Sequence, residues 1–171
     1  MKHILLATLA TLACVAVATA QTPIAVGVKV PENTGLGNKA QQLILKKMQQ
    51  LTTLNSVGTQ EKNARFQLTP QVSIVSSDVT PSAPPKQLVK LSIVLMIADT
   101  AGSKSIVAQT ELAAKGVGKN EEEAVLNALQ QVDIRSATLK RFMEQGKKKI
   151  AELPPVVAQP SVEPVAATSE N

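Results

Sequence analysis

The chain reads as a single α+β domain of order β-α-β-β-β-α, with about four strands in a mixed sheet and two helices packed on one face. Three observations predict this. Apolar residues recur with a period near two in separate short stretches, and at three- and four-residue spacing in two longer ones. The last two strands are joined by a short turn, which makes an antiparallel hairpin the natural connection. Once the leader described below is removed, about 150 residues remain, enough for one hydrophobic core and too few for two comfortable domains.

The elements follow in order. Pro23 to Val30 alternates, with Ile24, Val26, Val28 and Val30 on one face, and reads as a strand with one buried side. Pro31-Glu32-Asn33-Thr34-Gly35 breaks it. A helix fits from Leu36 or Gly37 to Leu54. Ala40, Leu43, Ile44, Lys47, Leu51 and Leu54, with Met48 beside them, make one face, and Gln41, Gln42, Lys46, Gln49 and Gln50 fill the other. Asn55 and Gly58 are stop signals. Ala64 to Ser77 is a second strand through Phe66, Leu68, Val72 and Ile74, and Pro70 within it calls for an edge position or a bulge. Asp78 to Lys86 holds three prolines and is expected to be a loop. Gln87 to Ala98 is the most apolar stretch after the leader and predicts a central strand with both faces largely covered.

Asp99-Thr100-Ala101-Gly102 is a turn, where Asp is favoured for local hydrogen bonding. Ser103 to Lys115 returns as a strand through Ile106, Ala108, Thr110 and Leu112. Gly116-Val117-Gly118 ends it. Asn120 with Glu123 is a capping box, and Glu121 and Glu122 put negative charge on the first helical turn. The helix runs on Val125, Ala128, Leu129, Val132, Leu139, Phe142 and Met143, and is weakest at Asp133 to Ala137, where a kink is expected. Either Gly146 ends it or the pattern resumes through Ile150 to Leu153. Pro154 to Asn171 lacks periodicity and holds four prolines, which reads as a disordered tail or spacer. The domain is therefore expected over residues 21–153.

Residues 1–20 read as a secretory signal peptide. Lys2 gives the positive start, Ile4 to Val17 is apolar, and Ala18-Thr19-Ala20 supplies the small residues that signal peptidase needs, with cleavage after Ala20. Thr11-Leu12-Ala13-Cys14 offers an alternative, lipidation at Cys14. The apolar residues that continue from Cys14 to Ala18 suit an uncleaved apolar run better than a tether. No second apolar stretch approaches the ~20 residues that span a bilayer. The expected location is periplasmic or secreted, with a lipid anchor through Cys14 as the alternative.

Removing the leader removes His3 and Cys14, the only histidine and cysteine, and the chain has no Trp or Tyr. The mature chain then lacks a thiol or imidazole nucleophile, a disulfide and a His-type metal site. No metal and no cofactor is expected. Only Phe66 and Phe142 are aromatic, which counts against sugar, nucleobase and flat-cofactor sites. The net charge is +5, falling to +4 without Lys2, and no stacking residues accompany it, so no nucleic-acid partner is expected. The densest cations are Lys140, Arg141, Lys147, Lys148 and Lys149. They read first as the solvated C-terminal part of a helix, and second as a contact patch for an acidic partner.

Gly116-Val117-Gly118-Lys119-Asn120 joins a strand to a helix, where glycines can cradle phosphate. The P-loop spacing and its hydroxyl are missing, and Glu121 to Glu123 would repel the anion, so a tight turn plus a cap is the expectation. Gly35-Leu36-Gly37 is read the same way. No two carboxylates converge in the pattern. A Ser–Lys dyad has no recognisable context either: Ser136 is followed by Leu139 where the lysine would stand.

Ile24-Ala25-Val26-Gly27-Val28-Lys29-Val30 leading into the helix near Gly37 to Leu54, and Lys115-Gly116-Val117-Gly118 leading into Asn120 to Asn127 with Ala124 and Ala128, resemble segments of small α+β periplasmic domains of bacterial envelope assembly proteins. The resemblance is to the periplasmic domain of the curli secretion-channel subunit and to lipoprotein activators of penicillin-binding proteins. It covers most of Pro23 to Leu153 in the order of elements. Those proteins are generally lipidated, which this leader does not favour. The resemblance implies binding without an active site, so no catalytic residues carry over. The expected function is that of an exported, non-enzymatic protein acting by protein–protein interaction in a cell-envelope assembly. The free sheet face or an edge strand would take the partner, and either also allows a homo-oligomer. The alternatives are a binding module for an acidic envelope polymer or lipid surface, and a Ser–Lys hydrolase.

Overall fold

The computed structural model describes residues 24–30, 35–59, 63–102 and 104–154. The segment expected to be a leader, with the expected cleavage after Ala20, Cys14, and the stretch beyond Pro154 expected to be a tail lie outside the described residues. The elements are β1 (Val26–Val28), α1 (Asn38–Leu54), β2 (Phe66–Thr80), β3 (Lys86–Asp99), β4 (Ile106–Gly118), α2 (Glu121–Gln130) and α3 (Ala137–Glu152). The fold is α+β, in the order of strands and helices that the sequence predicts.

The sheet runs β1-β2-β3-β4. β1 lies parallel to β2, with α1 as the crossover that a parallel pair needs, and the other neighbours are antiparallel. The register pairs Val28 with Leu68, Leu68 with Ile97, and Ile97 with Ala108. This stacks the even residues of β2 (up to its bulge) and of β4 with the odd residues of β3 on one face. That face and all three helices enclose one core, built around Leu91, Ile93, Leu95 and Ile97 of β3 with Ile44, Met48, Leu129, Leu139 and Met143.

Several expectations change in detail. The last helix is two. Between them Arg135 N–H donates to Asp133 Oδ1 (2.8 Å) and Ser136 N–H to the Asp133 carbonyl (3.2 Å), while Ser136 Oγ caps α3 through Leu139 N–H (3.4 Å). Short polar side chains here compete for the backbone and end α2 where the apolar pattern is weakest. Gly146 does not stop α3, which continues to Glu152. β2 runs on through Asp78 to Thr80, because Thr80 Oγ1 both accepts from Lys86 N–H (3.2 Å) and donates to the Lys86 carbonyl (3.1 Å). The Pro-rich connection shrinks accordingly. β3 is covered on one face only: Val89 to Ile97 at odd positions are buried, whereas Leu88, Val94 and Met96 are half-buried.

Pro70 sits on an open stretch of β2. Lys29 N–H donates to the Leu68 carbonyl (3.0 Å), so the even residues of β2 turn their peptide groups outward here, and β1 stops two residues short of Pro70. The missing N–H of Pro70 faces that vacated edge. The bulge lies further along, between Ile74 and Ser76.

The tightest packing is between α2 and β4. A Cβ on Gly116 would fall 2.0 Å from the Ala124 carbonyl oxygen and 2.4 Å from Ala128 N, and one on Gly118 would fall 2.4 Å from Ala124 N. These glycines therefore serve close approach within a strand, where the sequence suggested a turn. Ala124 and Ala128, both fully buried, are the small residues that complete the seat. Asn120 caps α2 through Glu123 N–H (2.8 Å), and Glu123 Oε2 returns to Lys119 N–H (2.9 Å). At the other end, Lys47 Nζ donates to the carbonyls of Gln130 (2.9 Å) and Val132 (2.7 Å). Burial lowers the Lys47 pKa below its ordinary value, with Asp133 pulling the other way.

Gly116→Ala is expected to lower stability by about 3 kcal/mol or more, at or above the upper end of overpacking costs, because the new methyl meets backbone that cannot rotate away. Urea unfolding of the variant checks this, and a loss under ~1 kcal/mol would contradict the packing.

Candidate functional site

With all three helices on one face, the other face of β2-β3-β4 carries Gln67, Thr69, Gln71 and Ser73, then Leu88, Lys90, Ser92, Val94 and Met96, then Gln109, Glu111, Ala113, Lys115 and Val117. It is a mixed surface: the middle strand interleaves Leu88, Val94 and Met96 with Lys90 and Ser92, and amide, hydroxyl and charged groups lie on either side. Val117 is 42% exposed. The register sets Lys90 directly opposite Lys115, with Ser76 on the far side of Lys90. Like charges in directly opposed positions are destabilising. The Ser76 hydroxyl in that row is buried and makes no hydrogen bond among the described residues. One row away, Ser92 Oγ donates to Glu111 Oε1 (2.6 Å).

The two sheet edges differ. Beside β1, Val26 N–H donates to the Val57 carbonyl (2.7 Å) and Thr59 N–H to the Val26 carbonyl (3.3 Å), so that edge is covered by the segment after α1. β4 has no strand on its outer side among the described residues. There a groove of about 470 Å³ opens between strand and helix, lined by Lys115, Gly116, Val117, Asn127, Gln130 and Gln131. Asn127 Nδ2 reaches into it and donates to the Val117 carbonyl (2.8 Å). The glycine seat creates this groove, because α2 lies low enough on β4 for Asn127 to touch the strand's outward carbonyl.

The cations singled out in the sequence are all on α3. Leu139, Phe142, Met143, Gly146 and Ile150 turn inward. Lys140, Lys147 and Lys148 fall at four- and three-residue spacings around Glu144 on the outer side, with Arg141 beside them. Lys149 falls on the opposite flank. The patch is thus four cations around Glu144, with Glu152 four residues beyond Lys148 as a second carboxylate and Lys149 turned away.

The best-buried charge is structural. Asp99, whose side chain is fully buried, accepts from Arg65 Nε (3.2 Å) and Nη2 (3.0 Å), and from the N–H groups of Ala101 (3.2 Å) and Gly102 (2.9 Å). Arg65 also lies over the Phe66 ring (4.8 Å) and donates to the Pro154 carbonyl (2.9 Å). The pair locks the β3–β4 turn to the start of β2 and to the end of α3. Among the described residues, no three acidic side chains gather where a metal ion could be held. No helix among them is long and apolar enough to cross a membrane. Ser136 serves as a helix cap, and its hydroxyl is engaged there.

Sequence reasoning did not find the open-face lysine pair or the groove. The signal for the first was present, since Lys90 and Ser92 occupy even positions of an otherwise apolar run and mark the exposed side of β3. The groove depends on how low α2 sits, which strand pattern does not express.

Among the described residues these features define a two-layer α+β domain with α1, α2 and α3 on one sheet face, an uncovered second face and a free edge at β4. Solved structures to which it is similar include a candidate lipoprotein from Caulobacter crescentus, at 11% identity and a TM-score of 0.41, covering 76% of this chain and 93% of that one. A minor lipoprotein from Acinetobacter baumannii is similar at 13% identity and a TM-score of 0.40, covering 76% and 94%. The PelC dodecamer from Paraburkholderia phytofirmans is similar at 11% identity and a TM-score of 0.34, covering 78% and 89%. No protein-family model and no curated protein sequence matches the chain.

Arg65→Met would strand the Asp99 carboxylate without its cation. It is expected to cost about 2–3 kcal/mol, below the usual loss for a fully buried pair because Arg65 remains partly exposed. A double-mutant cycle with Asp99→Asn, read by urea unfolding, checks this. A coupling near zero would contradict it.

Proposed function

We propose that this chain is an exported, non-enzymatic domain that works by binding another protein in a bacterial cell-envelope assembly. The observation that carries the reading is the uncovered face of β2-β3-β4. Its central strand presents Leu88, Val94 and Met96 half-exposed, flanked by hydroxyl and amide side chains on β2 and charged ones on β4. Such a surface, with half-exposed apolar side chains set among Lys90, Ser92 and a polar rim, has the mixed composition of a partner-binding patch. The leader-like residues 1–20 support export. The domain held by the Arg65–Asp99 lock would present this face as a rigid platform.

A second reading is favoured by α3. Lys140, Arg141, Lys147 and Lys148 share its outer side, and this would suit an acidic envelope polymer or lipid surface. Lys149, on the opposite flank, would take no part.

The two readings separate experimentally. A photo-crosslinking residue at Met96 is expected to capture a discrete envelope protein in cells, and Val94→Lys is expected to abolish capture without lowering the unfolding midpoint. Capture should persist in high salt. If Val94→Lys leaves capture unchanged while charge reversal at Lys140, Lys147 and Lys148 abolishes envelope association, the α3 reading replaces the first.

A further inference from the structure

We infer that β4 pairs antiparallel with β4 of a second copy of this chain, in a register centred on Ala113, so that Glu111 of each copy faces Lys115 of the other. The peptide groups of β4 set the direction of this pairing. Leu68 turns its carbonyl to β1, and the alternation carried through the β2–β3 and β3–β4 registers turns the even residues of β4 toward β3. The odd residues from Gln109 to Val117 therefore point their N–H and C=O groups away from the sheet. The Asn127 bond to the Val117 carbonyl agrees with this.

An edge of this kind is usually defended. The open stretch of β2 is defended: it carries Pro70 and the bulge at Ile74/Ser76. β4 has its irregularity at its first residues, opposite Ile97/Ala98, and from Ala108 to Gly118 it holds unbroken register with β3 and contains no proline. It is a regular strand whose outer ladder, the Val117 carbonyl apart, is free among the described residues, and the edge charges it carries, Glu111 and Lys115, are of opposite sign.

The side chains choose the occupant. In an isolated copy Lys90 stands opposite Lys115 with no acidic side chain in that row. Glu111 lies in a different row, bonded to Ser92 rather than to a cation. A twofold pairing centred on Ala113 sets Glu111 of the second copy in the row that begins Ser76, Lys90, Lys115. The symmetric row receives the same correction, which is how a self-complementary interface works. On the helix face the same register sets half-buried Leu112 against half-buried Ala114 of the other copy. At the strand's end, Thr110 and Gln109 of the second copy reach the groove lined by Asn127, Gln130 and Gln131. Asn127 holds the Val117 carbonyl and so terminates the new ladder. The result is one continuous sheet across two copies, with both uncovered faces on the same side. The inference goes beyond the partner reading above, and a monomer that still captures an envelope protein would overturn it while leaving that reading intact.

The test is sedimentation of the mature exported chain over a wide concentration series. The wild type is expected to show a reversible monomer–dimer equilibrium. Glu111→Lys and Lys115→Glu, each alone, replace two attractions by two repulsions and are expected to weaken the dimer by about tenfold or more. Together in one chain they are expected to restore it. Ala113→Pro removes an outward N–H at the centre of the pairing and should yield a monomer. A wild type that stays monomeric throughout overturns the inference. So does a dimer indifferent to the single charge changes, or a double variant that remains as weak as the singles. The charge variants lie on the exposed face and keep the test decisive if Ala113→Pro fails to fold.

Discussion

The backbone of α2 rests directly on two glycines of β4, and the rest of the molecule is arranged by that contact. Gly116 and Gly118 leave no room for even a methyl group beneath Ala124 and Ala128. The helix axis is thereby drawn closer to the sheet than ordinary side chains would allow. Its N-terminus is pinned by Asn120, which accepts from Glu123 N–H, and by Glu123, which accepts from Lys119 N–H, while Lys47 from α1 holds the carbonyls of Gln130 and Val132 at its other end. Because the seat is at one end of β4, α3 is left the other end. It closes there through Gly146, where an added Cβ would fall 2.7 Å from Ile97 Cδ1. Two close approaches thus seat α2 and α3 tightly against β4 and β3. The Arg65–Asp99 lock then ties the turn opposite the seat to β2 and to the end of α3.

The candidate surfaces are what this arrangement leaves uncovered among the described residues. A sheet with helices on both faces would bury β3 twice over. Here its even positions look outward, and the pairs they make across β4 decide the chemistry of the face. The low seat of α2 also brings Asn127 to the strand's outer carbonyl, which turns a bare edge into a groove. The groove at the edge therefore follows from the absence of side chains at two positions of β4, and the open face from the packing of α1, α2 and α3 on the other side of the sheet.

Much of this was legible in the sequence. The four strands, the first helix and the cap at Asn120 follow from period and local chemistry, which act over a few residues. The weak stretch Asp133 to Ala137 correctly marked a discontinuity, although how far the two halves separate depends on Asp133 and Ser136 competing for the backbone. The extension of β2 to Thr80 was hidden because Pro81 and its neighbours dominate the pattern, while the Thr80 side chain that closes the hairpin acts across a turn. β3 misled in a specific way. Leu88, Val94 and Met96 raise its apolarity until Lys90 and Ser92 look incidental, and only the burial of odd positions separates the faces. Lys90 and Lys115 are far apart in the chain and meet through register, which no local pattern records. The basic residues of α3 were visible because a helix keeps neighbours in sequence close in space, yet the same geometry turns Lys149 away from the others.

The proposed pairing requires β4 to have an inner ladder bonded to β3 and an outer ladder open to a second strand. Amide hydrogen exchange reads the two separately. In dilute protein, the N–H groups of Ala108, Thr110, Leu112, Ala114 and Gly116 should exchange only as the whole domain unfolds, whereas those of Glu111, Ala113 and Lys115 should exchange rapidly. At high concentration the second set should slow and the first should not change. Outer amides already protected in dilute protein, or inner amides that exchange well before global unfolding, would contradict it.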